Sequence, residues 1–595
     1  MKSQYNYRIQ AVRNEMAKLD LDAFVVPHED EYLLEEVSDC NNRLKWISGF
    51  TGTAGVAVVL KDDVIFFVDG RYSVQVTKQV DGELFSFESM AVFESNSWID
   101  SLLPPSAKIG IDPSLHSFDW FSKFISKVAI EGRKSLPLKN NLIDLCWTNR
   151  PTKISTNVKL IDEKYCGKSS ITKCKEVADI LSKVGVDRLI ITNLESTCWL
   201  LNLRGSDIPC LPVFYSTSII DQDAEVICFL DLTTLDEKLK SSFKHNVSFK
   251  CITQLDEYLL SISNCVTQID PKVINAHMAR LLQKPDVNVI QSSDPIGLLK
   301  AQKNPIEITG MKACHIRDGA ALINFLSWLD LQVREQTFYD EAQLADKLET
   351  FRTVDELYQE PSFDTVSAVG SNGAMCHYNH KDTTAKLMTN NTIYLVDSGA
   401  HYLDGTTDVT RTVAIGKATK EQIKMATLVL KGHISLATIR FPFGTTGQQL
   451  DAFARQHLWQ KGYDYEHGTG HGVGHYLNVH EGPQRIAKAN SNVALLPGMV
   501  VSIEPGYYRQ DEFGIRHENL YVVKESLNIS GSDINMLCFE VLTHVPFDRR
   551  LIDKAELTKC EIEWLNTYHE MVYRLISPLI DTRSNAWLLK ETTAL

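Results

Sequence analysis

The chain has 595 residues, 44% hydrophobic and 23% charged, the composition of a folded globular protein with too much chain for one core. A formal net charge of −14 with no dense Lys/Arg run argues against a nucleic-acid partner, which needs a basic face. The 13 cysteines are odd in number, scattered and without a CxxC pair, and no apolar run approaches the ~20 residues of a membrane span, so the expected location is the cytoplasm, with no membrane partner. The first residues, Met1-Lys-Ser-Gln-Tyr-Asn-Tyr-Arg, carry no apolar signal core. The last, Trp587-Leu-Leu-Lys-Glu-Thr-Thr-Ala-Leu, lack a long hydrophobic tail.

At ~150 residues per domain the length accommodates three or four domains. The first two echo each other. A helical pattern leads to Asp22-Ala-Phe-Val-Val, then Trp46-Ile-Ser-Gly-Phe and Asp63-Val-Ile-Phe-Phe-Val-Asp69. A second leads to Asp187-Arg-Leu-Ile-Ile, then Trp199-Leu-Leu-Asn-Leu-Arg-Gly and Glu225-Val-Ile-Cys-Phe-Leu-Asp231. This order predicts two related α/β domains with mixed sheets, over residues 1–147 and 148–303, parted near Trp147-Thr-Asn-Arg-Pro151. Pro305 suits a first helical position and Asn304 the cap before it. Ile308, Met311, Leu322, Phe325, Leu326 and Leu329 then recur at helical spacing, so a long amphipathic helix opens a third domain, 304–545. From about Thr392 the pattern reads as strands with Gly-rich turns, and beyond Pro546 a helical, charged extension over 546–595 follows.

The third domain carries the chemistry. Thr392-Ile-Tyr-Leu-Val-Asp397 and Thr406-Thr-Asp408-Val-Thr-Arg-Thr read as neighbouring strands joined by a turn at Asp404-Gly405. Val500-Val-Ser-Ile-Glu504 reads as a third strand and Gly514-Ile-Arg-His-Glu518-Asn-Leu-Tyr-Val-Val as a fourth, whose period of two puts Arg516 beside Glu518. His471 lies in His467-Gly-Thr-Gly-His471-Gly-Val-Gly. Asp397, Asp408, Glu504, Glu518 and His471 are an oxygen-rich donor set for two divalent ions, because four clustered carboxylates repel one another until balancing cations arrive. The set favours Mn(II), with Co(II) or Zn(II) as alternatives. Such a pair lowers the pKa of a shared water and stabilises the oxyanion formed when hydroxide attacks a carbonyl. His377, His467 and His480 are candidates to contact substrate, while His380, His401 and His475 read as structural. There is no HExxH, no P-loop lysine after the glycines and no GxSxG elbow, which counts against a zincin, a phosphate-binding loop and a serine hydrolase.

In their order and spacing these motifs resemble the aminopeptidase P (X-Pro aminopeptidase) family, in its long three-domain cytosolic form. That family belongs to the creatinase/prolidase group, peptidase family M24. The resemblance spans nearly the whole chain. It takes in Ser48-Gly-Phe-Thr-Gly-Thr-Ala-Gly, Asp69-Gly-Arg71-Tyr, Leu201-Asn-Leu-Arg-Gly-Ser-Asp, His377-Tyr, Asp397-Ser-Gly, Val479-His-Glu-Gly-Pro and Glu504-Pro-Gly-Tyr-Tyr. It implies two creatinase-like α/β domains followed by an α+β pita-bread catalytic domain with its C-terminal extension. It implies two Mn(II) ions, Asp397 on one, Asp408 and Glu518 bridging, His471 and Glu504 on the second, and Glu504 as proton carrier. It implies that His377 and His480 touch substrate and the tetrahedral intermediate, with His467 and Arg516 in support and Arg71 in the substrate-binding set. The implied reaction releases the N-terminal residue from peptides with proline at the second position. A prolidase acting on X-Pro dipeptides and a metal-free pita-bread binding protein are the alternatives; the extra N-terminal domains weigh against the first and the intact ligand set against the second. His475 and His517 depart from the family pattern without touching a ligand position. The long cytosolic form further implies a homodimer, for which Trp459 is the candidate anchor, its competing reading being an ordinary core tryptophan.

Overall fold

A computed structural model describes residues 2–130, 132–243, 245–489, 491–526, 531 and 533–595. The chain forms two compact units, Met1–Leu160, Lys168–Pro209 and Val213–Ile296 in one, Ile161–Gly167, Cys210–Pro212 and Gly297–Leu595 in the other.

In the first unit the apolar run Ala23–Pro27 is buried along its whole length, as a central strand covered on both faces must be. Successive side chains point to opposite faces. Ala23 and Val25 join one apolar core and Phe24 and Val26 another. The strand sits in a six-stranded sheet ordered Ser86–Ser89, Val64–Val68, Val56–Leu60, Ala23–Pro27, Lys108–Ile111, Lys134–Pro137. The second sheet runs Val247–Cys251, Val226–Leu230, Ser216–Asp221, Arg188–Ile191, Cys265–Ile269, Val287–Gln291. Strand for strand the pairings match: two antiparallel pairs beside the first strand, parallel pairs at both margins. The echo heard in the sequence is thus a repeated topology, and one core, containing Val25, Ile109, Ile190 and Phe229, lies against both sheets.

The second unit opens with the helix Pro305–Arg334. Its N-terminal donors are satisfied locally: the Asn304 side chain accepts from the amides of Ile306 and Glu307, and the Glu307 carboxylate accepts from the Asn304 amide. A three-stranded sheet, Val366–Val369, Thr392–Ser398 and Val409–Ile415, packs beside a six-stranded one. The latter contains Met536–Val541, Asn519–Ser526, Val500–Ile503, Gly470–Gly472 and Glu481–Ile486 in that order. The region after Thr392 is not all strand: the helices Lys420–Ala437 and Gly447–Trp459 interrupt it, the first opened by a Thr419/Gln422 capping box that predicts it. In the C-terminal helix Lys559–Ile576, Leu565, Tyr568, Val572 and Ile576 recur at helical spacing and share a core with Leu322, Phe325 and Val413. Among the described residues no helix is long and apolar enough to cross a membrane.

Candidate active site

Four strand ends converge on one point. Thr392–Ser398 and Val409–Ile415 pair antiparallel with Asp397 opposite Thr410, which sets Asp408, just ahead of the second strand, near Asp397. The link between them is a small hairpin, Ala400–Tyr402 with Gly405–Thr406, turning at Leu403-Asp404, one residue ahead of the expected Asp404-Gly405, because Gly405 already pairs with Tyr402. Glu504 follows the strand Val500–Ile503 and its amide donates to Thr469 O at 2.8 Å. The expected fourth strand is two: Phe513–Arg516 pairs with Gly506–Arg509, and Asn519–Ser526 joins the large sheet. Glu518 occupies the break. There its amide donates to Thr410 O, and its own carbonyl accepts from the buried guanidinium of Arg411 at 2.5 Å. His471 stands between Gly470 and Gly472, where a Cβ would meet Ser502 O at 2.0 Å and Glu481 O at 2.3 Å. Only glycine lets the neighbouring strands approach this closely.

Ligand-type atoms of Asp408, His471 and Glu518 all lie within 4.8 Å of one another. The His471 Nδ1–H donates to Gly472 O at 2.8 Å, which turns the Nε2 lone pair toward Asp408 (3.5 Å) and Glu504 (3.4 Å). Arg516 donates to Asp397 Oδ2 at 2.5 Å, to Thr410 Oγ1 at 3.1 Å and to the Tyr508 hydroxyl at 2.7 Å. Tyr508 in turn donates to His467 Nε2 at 2.8 Å, since His467 Nδ1–H is committed to Gly468 O. Thr410 Oγ1 donates to Glu518 Oε2 at 2.7 Å and Ser502 Oγ to Glu504 Oε1 at 3.2 Å.

Burial holds the Asp397, Glu504 and Glu518 carboxyls above the ordinary range, and their neighbouring carboxylates push the same way. Burial pulls His471 down, but Asp408 and Glu504 outweigh it and raise it. Asp397 Oδ1, Asp408 Oδ1 and Glu518 Oε1 are buried without any hydrogen-bond partner. Buried oxygens of this kind are costly unless a cation completes them. Side-chain exposures of 14% for Asp397, 18% for Glu504 and 20% for His471 leave the cluster open to solvent on one side. The donor set, its charge and its orphaned oxygens fit divalent cations.

The remaining predicted residues are distributed as follows. His480 is exposed, and its ring lies edge-on to His471 with centroids 4.6 Å apart. His377 is half-buried in the turn after Gly370–Ala374. Arg71 belongs to the first unit, where it pairs with Asp69 and Glu35. His401 is structural, bonded to Thr406 Oγ1 and Cys210 O, and His517 packs on Phe547. Trp459 ends its helix and is 45% exposed, so it is not a core tryptophan. Tyr508, Thr410 and Ser502 had no predicted role. The last two lie two residues from Asp408 and Glu504, and strand periodicity would have found them.

Sequence comparison agrees with this geometry. The profile of metallopeptidase family M24 matches residues 309–525 and that of the C-terminal region of peptidase M24 matches 535–595; creatinase/prolidase N-terminal domain profiles match 8–144 and 149–307. A probable Xaa-Pro aminopeptidase P from Laccaria bicolor is 39% identical, with 99% of this chain and 93% of the relative covered. Its counterpart from Colletotrichum graminicola is 40% identical over 99% of each. The crystal structure of X-prolyl aminopeptidase from Caenorhabditis elegans, described as a cytosolic enzyme with a di-nuclear active site, superposes with a TM-score of 0.95 at 34% identity, covering 99% of this chain and 100% of that one. An Xaa-Pro dipeptidase from Bacillus anthracis, 23% identical with a TM-score of 0.50 over 64% of this chain and 99% of its own, shares the fold alone. The fold is the pita-bread metallopeptidase fold preceded by creatinase-type domains. This chain belongs to metallopeptidase family M24, in its Xaa-Pro aminopeptidase P branch.

Proposed function

We propose that the protein hydrolyses the first peptide bond of peptides with proline in second position, using two divalent ions. The observation that carries this reading is the convergence of four carboxylates and one imidazole with three orphaned oxygens. The chain around them also aligns end to end with aminopeptidase P relatives. Asp397 would hold one ion, Asp408 and Glu518 bridge, and His471 and Glu504 complete the second; the oxygen-rich set favours Mn(II). When bound, the ions lower the pKa of a shared water and polarise the scissile carbonyl.

The chain's own residues supply the rest. Glu504 accepts a proton from the attacking water and passes it to the proline nitrogen, which leaves as an amine and needs one. His377 and His480 donate to the developing oxyanion and hold the substrate carbonyl. Arg516 neutralises Asp397 and, through Tyr508, sets the tautomer of His467. Arg71 joins the substrate-binding set. Proline makes the scissile bond a tertiary amide with no N–H, so recognition must rest on the ring and the free N-terminus.

The division 1–147, 148–303, 304–545 and 546–595 is part of this reading, as are a cytosolic location and a homodimer anchored by the exposed Trp459. The decisive experiment is product analysis on Arg-Pro-Pro, Ala-Pro and Ala-Ala-Ala after metal stripping and reloading with Mn(II). Release of Arg from the first alone supports the proposal. Rapid cleavage of the dipeptide alone makes the protein a prolidase, and equal rates on Ala-Ala-Ala and Arg-Pro-Pro reject proline selectivity.

A further inference from the structure

A second buried ionic group lies beside the carboxylate cluster without belonging to it. The side chains of Lys300, Lys303 and Glu481 are 4%, 0% and 1% exposed. Glu481 Oε2 accepts from the Lys303 ammonium, and Oε1 lies 3.1 Å from that of Lys300. Lys300 and Lys303 thus share the Glu481 carboxylate out of water, with the buried Glu307 carboxylate also acting on Lys303, an ionic cluster that apolar packing often replaces with no loss or a gain in stability. Stability alone therefore gives a poor account of it.

Its position offers a better one. Glu481 begins the strand Glu481–Ile486 and directly follows the exposed His480. The ladder slips there: His471 pairs with Arg485, but the next residue, Gly472, pairs with Glu481, so residues 482–484 loop out of register. The start of this strand is thus held to Gly472 by a single register position. The lysines are themselves fixed. Lys300 lies in the helix Pro295–Ala301, and Lys303 donates its amide to Gly498 O at 3.0 Å beside the bridge between Gln302 and Met499. The chain entering the second unit therefore grips the one carboxylate adjacent to His480.

We propose that the Lys300–Glu481–Lys303 triad is a positioning device that fixes His480 at its 4.6 Å ring separation from His471, acting on turnover and not on metal retention. This rests on the reading of His480 as a substrate contact. Glu481, Lys300 and Lys303 are positioning residues; none is assigned to substrate.

The test is a double-mutant cycle in the full-length, Mn(II)-loaded enzyme on Ala-Pro-Ala, with E481Q, H480A and E481Q/H480A compared for kcat, KM and bound metal. Displacing a catalytic group by about 1 Å lowers rates about a hundredfold, so E481Q is expected to lose about ten- to a hundredfold in kcat, with KM within about twofold and both ions retained. The loss should vanish in the H480A background. If E481Q does not fold, K300M, which leaves Glu481 paired with Lys303, is carried through the same cycle, and a smaller loss that H480A abolishes is expected. Equal losses with and without His480, or metal loss in E481Q, overturn the triad's role while leaving the assigned function intact. An H480A enzyme with unchanged kcat overturns the underlying reading of His480, and the triad proposal with it.

Discussion

Glu518→Gln removes one negative charge from the cluster while preserving shape and a hydrogen-bond acceptor for Thr410. At the 4.8 Å that bounds the Asp408, His471 and Glu518 ligand atoms, a pair of unit charges interacts with about 3.5 kcal/mol at an effective dielectric of 20. Taking that separation throughout, the substitution forfeits attraction worth two such pairs per dication, about 7 kcal/mol per ion, while repulsion from the other three carboxylates is present with and without metal and cancels from the affinity. Desolvation and the proton that the buried Glu518 carboxyl releases on metal binding offset part of this, which leaves an expected loss of at least about 300-fold in metal affinity. Calorimetric titration of metal-stripped protein with Mn(II), with elemental analysis after gel filtration, reads this directly. Turnover of Ala-Pro-Ala should fall with occupancy and recover partly at millimolar Mn(II). A variant that keeps two ions at unchanged affinity would refute the assignment of Glu518, and with it the inference from orphaned oxygens to metal.

Glu504→Gln should reduce kcat more than His480→Ala, since Glu504 is both donor and proton carrier; stopped-flow rates at saturating metal rank the two, and a reversed order means the base is another group. Burial first, then mutual repulsion, raises the Asp397, Glu504 and Glu518 carboxyls, so above the ordinary carboxylate range the folded metal-free protein binds more protons than the unfolded chain. Its Tm should therefore fall as pH rises above the ordinary carboxylate range, while a fixed Mn(II) concentration restores stability by an amount that grows with pH as the carboxyls ionise and Kd falls; a Tm gap independent of pH contradicts the shifts. Trp459→Glu should give a folded monomer by light scattering with an unchanged circular dichroism spectrum; an intact dimer removes Trp459 from the interface. Asn304→Ala should cost about 1 kcal/mol in chemical denaturation through loss of the cap on Pro305–Arg334, with metal content unchanged.

Much of this architecture was legible because it rests on local rules. The Asn304-Pro305 start is capping chemistry, and the central strand Ala23–Pro27 is a continuous apolar run. The carboxylates were legible because each ends or adjoins an apolar strand, an expensive place for an unpaired charge. Other features depend on contacts between segments distant in sequence. The break at Glu518 arises because Phe513–Arg516 pairs with Gly506–Arg509, whereas Asn519–Ser526 pairs with Val500–Ile503, a change of partner that strand periodicity does not register. The helices Lys420–Ala437 and Gly447–Trp459 are set between strands whose Gly-rich, β-forming flanks mask them, although Thr419 and Gln422 announce the first. The path from Arg516 through Tyr508 to His467 needs a hairpin and a loop to meet, and no spacing encodes it.

Gly470 and Gly472 bear on how a mutational scan of this protein should be read. A methyl group at either position runs into a backbone carbonyl, Ser502 O at 2.0 Å or Glu481 O at 2.3 Å. Alanine at these two sites should therefore score as damaging as alanine at a ligand, although neither glycine has an atom to offer a metal or a peptide. In a map of inactivating positions the ligand His471 would appear flanked by apparent catalytic residues that are only clearances between strands. Dose–response to added Mn(II) separates the two kinds, because excess metal refills a weakened ligand set but does not move a carbonyl.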